Sequence, residues 1–267
     1  MRVWILIGLY FLPILTRAQE AVSGESRFTY YLNQYIETGT NETITPSEIS
    51  NFIVKLRVIR AKTDDSNFLK TLFSRTHNKF LKQYRNQASF NDIFKNGRYN
   101  CLTGTALLAL LLDRFEFDYQ IIETNYHIFI LVHTEGNNIL LEATDPHSGF
   151  VSDQKMVRER INLYRENKIQ ELSPDHYHYH FSFDLYNGVA LKELTGLMYY
   201  NQAVEAFNRN QLDRSVQLLD KATESYKSER IEEFSRVILL ALVQSNLEAK
   251  AKITYLKKVQ SLRQLTL

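Results

Sequence analysis

Cysteine, proline, glycine and net charge are all scarce in this sequence. Its 267 residues include one cysteine, four prolines and nine glycines, and the formal net charge is +2. One cysteine excludes an internal disulfide framework and any metal site built from several thiolates. So little glycine and proline excludes a collagen-like or linker-dominated chain, and the low charge gives no electrostatic basis for binding nucleic acid. The hydrophobic content, 44%, is that of an ordinary globular protein, and the length is enough for one large domain or two modest ones.

The N-terminus has the pattern of a secretory signal peptide. Arg2 precedes an apolar run from Val3 to Leu15, and the small residue Ala18 follows it. The run is shorter than the ~20 residues that a membrane-spanning helix needs, which favours a cleaved signal over an anchor. We therefore expect residues 1–18 to be removed and the mature protein, which then has no membrane span, to be exported to the periplasm or the cell exterior.

Hydrophobic periodicity predicts an α+β unit over residues 19–185, followed by an all-α unit over residues 189–267. In the first unit, apolar helical faces precede several short β-type runs, two of which flank a turn composition around Gly136. The predicted helices include Arg27–Glu37, one that starts at Thr45, Leu102–Phe115 and Asp153–Asn167; the predicted strands are Tyr119–Glu123, His127–His133, Ile139–Thr144 and Tyr177–Phe183.

Three residues of the first unit form a candidate catalytic set: Cys101, His127 and Asp145. A cysteine attacks as its thiolate, which the N-terminus of a helix favours, and Cys101 lies at the first turn of the apolar helix. A neighbouring histidine would take the thiol proton, and a carboxylate on its other nitrogen would hold the correct tautomer. If the hairpin turn is centred on Gly136, His127 lies directly opposite Asp145, and directly paired side chains share a face of the sheet.

Each of these residues also has an ordinary structural explanation. A free cysteine is most often a small buried apolar residue, and an aspartate before proline often forms a turn. A shift of one residue in the hairpin would separate His127 from Asp145. His133 and His147 lie near the same hairpin and compete with His127 for the role of base.

The residues around these positions resemble the transglutaminase-like domain of papain-related cysteine enzymes. The segments that carry the resemblance are Tyr99–Leu107, Asn125–Phe129 and Glu142–Pro146. The wider stretch Phe94–Phe150 particularly resembles transglutaminase-like proteins exported by Bacteroidetes-type bacteria, which continue into tetratricopeptide-like helices. The resemblance implies a papain-like transglutaminase fold, in which the helix that bears the cysteine packs on an antiparallel sheet. It implies Cys101 as nucleophile, His127 as general base and acid, and Asp145 as the orienting residue.

The chain departs from the family pattern in two places: just after the histidine, and at the oxyanion donor, since no upstream Gln or Trp donor is identifiable. The family commonly has a tryptophan shortly after the histidine, where this chain has Ile128 and Phe129. The backbone N–H of Cys101 is the natural first donor to an oxyanion, and the side chain of Asn100 or Gln87 could add a second. This chemistry requires no cofactor.

The second unit resembles tetratricopeptide repeats in loose form. One repeat covers residues 202–222, and a second helix pair is expected over Glu229–Asn246 and Leu247–Leu265. So short an array rarely stands alone, so we expect it to pack on the first domain. It serves either as a groove for a protein partner or as a helical cap on the catalytic unit.

A row of alternating histidines, His176, His178 and His180, would share one face of a strand. Imidazoles in that arrangement can bind Zn²⁺ or Cu²⁺. An exposed strand face is the commoner explanation, so no metal site is assigned to them.

The sequence therefore predicts an exported cysteine hydrolase that acts on an amide or peptide bond of a peptide or protein substrate. An amine acceptor in place of water would make it an acyl transferase that cross-links proteins. The alternative class is a catalytically silent binding or scaffold protein, which keeps the fold and holds a protein partner with its helical repeats.

Overall fold

The computed structural model describes residues 24–39, 47–166 and 183–264. The predicted signal peptide, the alternating histidines and nearly all of the predicted strand Tyr177–Phe183 lie outside these ranges. Within them, no helix combines the length and the apolar character needed to cross a bilayer.

The described elements confirm the predicted α+β class. Helices precede, flank and follow a small antiparallel sheet, and a short parallel strand pair lies just before the long central helix. In chain order the elements are α1 (Gly24–Glu37), α2 (Ser47–Arg60), α3 (Asp65–Lys79), β1 (Gln83–Tyr84), α4 (Phe90–Asn96), β2 (Arg98–Tyr99), α5 (Cys101–Arg114), β3 (Asp118–Thr124), β4 (Ile128–Thr134), β5 (Asn137–Leu141), β6 (Phe150–Val151), α6 (Gln154–Arg165), β7 (Tyr186–Val189), α7 (Leu191–Asn208), α8 (Leu212–Thr223), α9 (Glu229–Gln244) and α10 (Ala249–Gln264).

The sheet lies between two helical layers. Its strand order is β6-β5-β4-β3-β7, and every neighbouring pair is antiparallel. Side chains alternate along β4, so Ile128, Ile130 and Val132 join the main core that contains α5, while Phe129 and Leu131 face a smaller core that contains Val157 of α6. Both faces of β4 are therefore buried, which explains its nearly continuous apolar sequence.

Helix α5 forms the centre of the molecule. Every residue from Leu102 to Asp113 is buried, which a helix achieves only when other elements cover it on all sides. It begins at Cys101 because Asn100, in extended conformation, caps it: the Asn100 side chain accepts a hydrogen bond from the backbone N–H of Thr103. In the reciprocal hydrogen bond of this capping box, the Thr103 hydroxyl group accepts from the backbone N–H of Asn100.

The C-terminal helices share the main core with the α+β part. Buried residues from Leu32 in α1 to Val259 in α10 belong to one hydrophobic cluster, and α7 packs against both α1 and α5. Hydrogen bonds also cross between the two parts: the Tyr35 hydroxyl group donates to the carbonyl of Leu191 at 2.8 Å, and Gln202 donates to the carbonyl of Thr38 at 2.8 Å. The helical prediction for this part is confirmed, and these helices pack on the rest of the chain through apolar surface.

Candidate active site

Cys101 is the first residue of α5, where a helix favours a negative charge. The side chain of Asn100 fixes this turn, since its Nδ2 atom donates to the carbonyl oxygens of Asn86 and Ala88, at 3.0 Å each. Its oxygen is already bonded to Thr103. The predicted role of Asn100 as an oxyanion donor therefore conflicts with its contacts, because both ends of the amide are used to hold the helix start.

The second predicted oxyanion donor, Gln87, is exposed and accepts a hydrogen bond at 3.3 Å from Arg209, the residue that follows α7. Its amide thus joins the loop before α4 to the C-terminal helices. The N-terminal amides of α5 are better placed, because the backbone N–H groups of Cys101 and Leu102 both act on the Cys101 sulfur and lower its pKa.

Two close contacts bring the first turns of α5 against the strand ends. The Thr105 hydroxyl group donates to the carbonyl of Ile128, the residue after His127, at 3.4 Å. A Cβ atom added to Gly104 would lie 3.0 Å from the Cβ of Ala143, so glycine permits the approach of α5 to the chain just beyond β5. The start of α5 therefore lies beside the segments that carry His127 and Glu142.

The prediction that His127 lies opposite Asp145 is wrong by one residue. Ile130 pairs with Leu141 and Thr134 with Asn137, so the turn consists of Glu135 and Gly136 alone. Continuing this register past the end of β5 would place Thr144, not Asp145, opposite His127. The shorter turn moves every side chain of β5 to the other face relative to the prediction.

The carboxylate that meets His127 is that of Glu142. Its Oε2 atom bonds to Nε2 of His127, and its Oε1 atom accepts from the backbone N–H and the hydroxyl group of Thr144, at 2.9 and 2.6 Å. The Glu142 side chain is only 2% exposed, and a buried carboxylate needs such donors to remain charged. Glu142 therefore occupies the orienting position that the sequence assigned to Asp145.

Asp145 instead stabilises the loop that follows. Its Oδ1 atom accepts from the backbone N–H groups of His147 and Ser148, at 3.2 and 2.8 Å, and Arg160 of α6 lies 3.7 Å from its other oxygen. This is the turn-forming role that an aspartate before proline often has.

The His127 ring is held on a second side by Tyr164 of α6. The two ring centroids lie 4.4 Å apart, and the Tyr164 hydroxyl group donates to Glu142 at 3.4 Å. The His127 side chain remains 23% exposed. With Nε2 bonded to Glu142, Nδ1 is the nitrogen left for a thiol or a substrate, and among the described hydrogen bonds none joins His127 to Cys101.

The competing histidines are bound elsewhere or exposed. Nδ1 of His133 contacts the side-chain oxygen of Asn138 at 2.8 Å, near the hairpin turn at the far end of β4, and His147 is exposed in the loop after Pro146. A further histidine, His77 of α3, is buried and contacts the carbonyl oxygen of Ala143 at 2.8 Å through Nε2. It thereby supports the segment that carries Glu142.

Electrostatics keep the resting sulfur protonated. Burial, and secondarily the negative charge of Glu142, raise the pKa of the Cys101 thiol to about 11. Cys101 is therefore a neutral thiol near neutral pH. If it reacts, a base must remove its proton during the attack, and His127 has the appropriate chemistry and a free nitrogen.

Across residues 24–39, 47–166 and 183–264, no group of three or more His, Cys, Asp and Glu side chains is placed to hold a metal ion. Comparison of the chain with protein-family models, with curated proteins and with solved structures finds no match in any of the three.

Proposed function

We propose that this chain is a cysteine hydrolase of the transglutaminase-like, papain-related fold that acts on an amide or peptide bond. The observation that carries the proposal is the His127–Glu142 pair: a buried carboxylate fixes the tautomer of a partly exposed imidazole beside the helix N-terminus that bears Cys101. The triad is accordingly Cys101, His127 and Glu142. Export and a peptide or protein substrate are parts of the same proposal.

The reaction begins with proton transfer from the Cys101 thiol to Nδ1 of His127 as the sulfur attacks the carbonyl carbon. The imidazolium that forms is stabilised by Glu142 through Nε2. Negative charge on the substrate oxygen is stabilised by the backbone N–H groups at the start of α5. His127 then gives its proton to the leaving amine, and water, activated by the same imidazole, releases the acyl group from the sulfur.

The reactivity of Cys101 toward iodoacetamide tests this proposal. Alkylation is followed between about pH 5 and 10 in the wild type, in His127→Ala and in the matched control His133→Ala. We expect the wild type and the control to react at about pH 7 at least ~10-fold faster than His127→Ala, because only they retain the base. In His127→Ala the rate should rise only at the high pH set by the raised pKa of the thiol.

A catalytically silent binding protein is the second candidate, and the raised pKa of Cys101 is the observation that favours it. In that case the thiol is an ordinary partly buried side chain. The wild type and His127→Ala would then give the same alkylation profile, and that result would refute the hydrolase.

A further inference from the structure

We infer that Arg230, on helix α9 of the C-terminal helices, is a positioning residue for His127, so that these helices complete the candidate active site. The inference rests on the proposed function, because it assigns Arg230 a role through the proposed base. It depends on contacts between α9 and the short segment that connects β3 to β4.

The Arg230 guanidinium group binds the backbone immediately before His127. Its Nη2 atom donates to the carbonyl oxygens of Thr124 and Asn125, the second at 2.7 Å. Its Nε atom lies 2.6 Å from a carboxylate oxygen of Glu123, the neighbouring residue of β3. One side chain thus contacts three consecutive residues that lead into the His127 turn.

The side chain of Asn125 ties the same segment to the chain just before β7. Its side-chain oxygen accepts from the backbone N–H of Leu185, and its amide donates to the carbonyl of Phe183, both at 2.6 Å. Within the turn, the backbone N–H of Thr124 donates to the carbonyl of His127 at 2.8 Å. With Arg230 in place, the backbone before His127 has few ways to move, and this fixes where the imidazole lies relative to Glu142.

Burial makes the contact strong and specific. The side chains of Arg230 and Glu123 are 11% and 4% exposed, and the Tyr226 hydroxyl group donates to the second Glu123 oxygen at 2.7 Å. An isolated buried guanidinium would be costly, but here Glu123 neutralises its charge and Nη2 donates to two carbonyl oxygens. Burial and Glu142 raise the pKa of the Cys101 thiol, and the positive charge of Arg230 opposes that rise, so the guanidinium acts on the sulfur as well.

A purely structural ion pair would need only Glu123. Two of the donated hydrogen bonds go instead to main-chain carbonyls of the turn that carries His127. A planar guanidinium group can satisfy a carboxylate and two carbonyls together, which a lysine ammonium group in the same place cannot reproduce in geometry.

The test compares Arg230→Met with Arg236→Met in the full chain. Arg236 lies on the same helix, is 59% exposed and pairs only locally with Glu232 as far as the described contacts show, so it controls for the loss of an α9 arginine. The double variant Glu123→Gln/Arg230→Met removes both buried charges and serves where the single variant unfolds. Two quantities are measured: amide hydrogen exchange in peptides covering residues 122–130, and Cys101 alkylation with iodoacetamide as a function of pH.

We expect Arg230→Met, or the double variant, to raise amide exchange in residues 124–127 at least ~10-fold over the wild type, with no comparable rise in the rest of the sheet. Its alkylation profile should move toward that of His127→Ala, and the two changes combined should slow alkylation by less than the product of their separate effects, because both act on the same base. Arg236→Met should match the wild type in both measurements.

Exchange in residues 124–127 that equals that of Arg236→Met would overturn the inference, since the turn would not depend on the guanidinium. A raised exchange with an unchanged alkylation profile would also overturn it, because the contact would then be structural only. If His127→Ala alone fails to change alkylation, the proposed function is refuted and the positioning role with it, and the exchange data still report whether Arg230 holds the turn.

Discussion

Glu142 holds the proposed base His127, which favours reaction of Cys101, and its negative charge raises the pKa of the Cys101 thiol, which opposes that reaction. Replacing Glu142 with glutamine separates these two effects. The Glu142 oxygens bond to Nε2 of His127 and to both donors of Thr144. Glutamine keeps one oxygen for Thr144 but presents an NH₂ group to His127. The NH₂ group cannot accept a hydrogen bond from Nε2–H, so the imidazole must shift its proton to Nδ1, the nitrogen that the thiol needs as its base.

The magnitude follows from the bond that is lost. A hydrogen bond to a charged group contributes about 1.5–3 kcal/mol, and every 1.4 kcal/mol is about a factor of ten. We therefore expect Glu142→Gln to slow His127-dependent alkylation of Cys101 at about pH 7 by roughly 10- to 150-fold. If Cys101 instead reacts without help from His127, removing the negative charge of Glu142 lowers the pKa of the thiol and speeds the reaction.

Asp145→Asn is the matched control, because Asp145 is the carboxylate three residues further along the same loop. Its side chain is 35% exposed and binds backbone N–H groups and Arg160 rather than His127. We expect its alkylation rate to stay within about threefold of the wild type. The assay is iodoacetamide alkylation followed by mass spectrometry, with circular dichroism to confirm folding. An increase in rate in Glu142→Gln, or a larger loss in Asp145→Asn than in Glu142→Gln, would refute the triad assigned above.

Two further predictions concern stability. Arg230→Met leaves the Glu123 carboxylate buried without its cation, so the free energy of unfolding in urea should fall by about 3–5 kcal/mol. The double variant Glu123→Gln/Arg230→Met should recover more than half of that loss, because neither charge is then buried alone. A double variant no more stable than the single one contradicts this prediction. The second prediction concerns pH. The pKa of the Cys101 thiol is raised to about 11 in the folded protein and is ordinary in the unfolded chain. The neutral thiol therefore contributes to the free energy of unfolding fully below about pH 8.5, and this contribution is lost as pH rises toward 11. Relative to Cys101→Ala, the wild type should therefore lose about 2 kcal/mol between about pH 8 and 10, whereas an unchanged difference would show that the thiol is not desolvated.

The elements that sequence could predict are those whose pattern is local. Helix α5 is recognisable from its apolar length and from the Gly97 break before it, and the structure begins it at Cys101. The three central strands β3, β4 and β5 were anticipated because short apolar runs flank a turn composition. The strand pair β1–β2 escaped prediction, since two residues on each side carry no usable periodicity.

The candidate site depends on the register of the β4–β5 hairpin, which the sequence pattern predicts incorrectly by one residue. A turn centred on Gly136 and a two-residue turn of Glu135 and Gly136 differ in register by one residue. With the first turn Asp145 lies opposite His127, and with the second Thr144 does. The positive φ of Gly136, 77°, is the conformation that a type II turn requires at its second central residue, where glycine is preferred. A glycine after one polar residue was therefore the local signal for the shorter turn, and with it for Glu142.

Tyr164 and Arg230 could not be found in this way. Arg230 meets the His127 turn across more than one hundred residues of sequence, and no spacing rule connects an arginine near a helix start to a strand connection so distant. Only packing decides such contacts. The buried glutamate of β3 was a partial signal, because a carboxylate within an apolar strand requires a cation or several donors from elsewhere in the chain.

In the proposed hydrolase, the C-terminal helices contribute to the chemistry of the α+β part as well as to its stability. Because burial and Glu142 raise the pKa of the Cys101 thiol, the proposed reaction depends on proton transfer to His127 rather than on a standing thiolate. Such a transfer is sensitive to where the imidazole lies, because the barrier rises steeply when donor and acceptor move apart. The turn that sets that position is fastened by Arg230 from α9. A chain cut between β7 and α7 would keep Cys101, His127 and Glu142 and still lose the contact that Arg230 makes with the turn before His127.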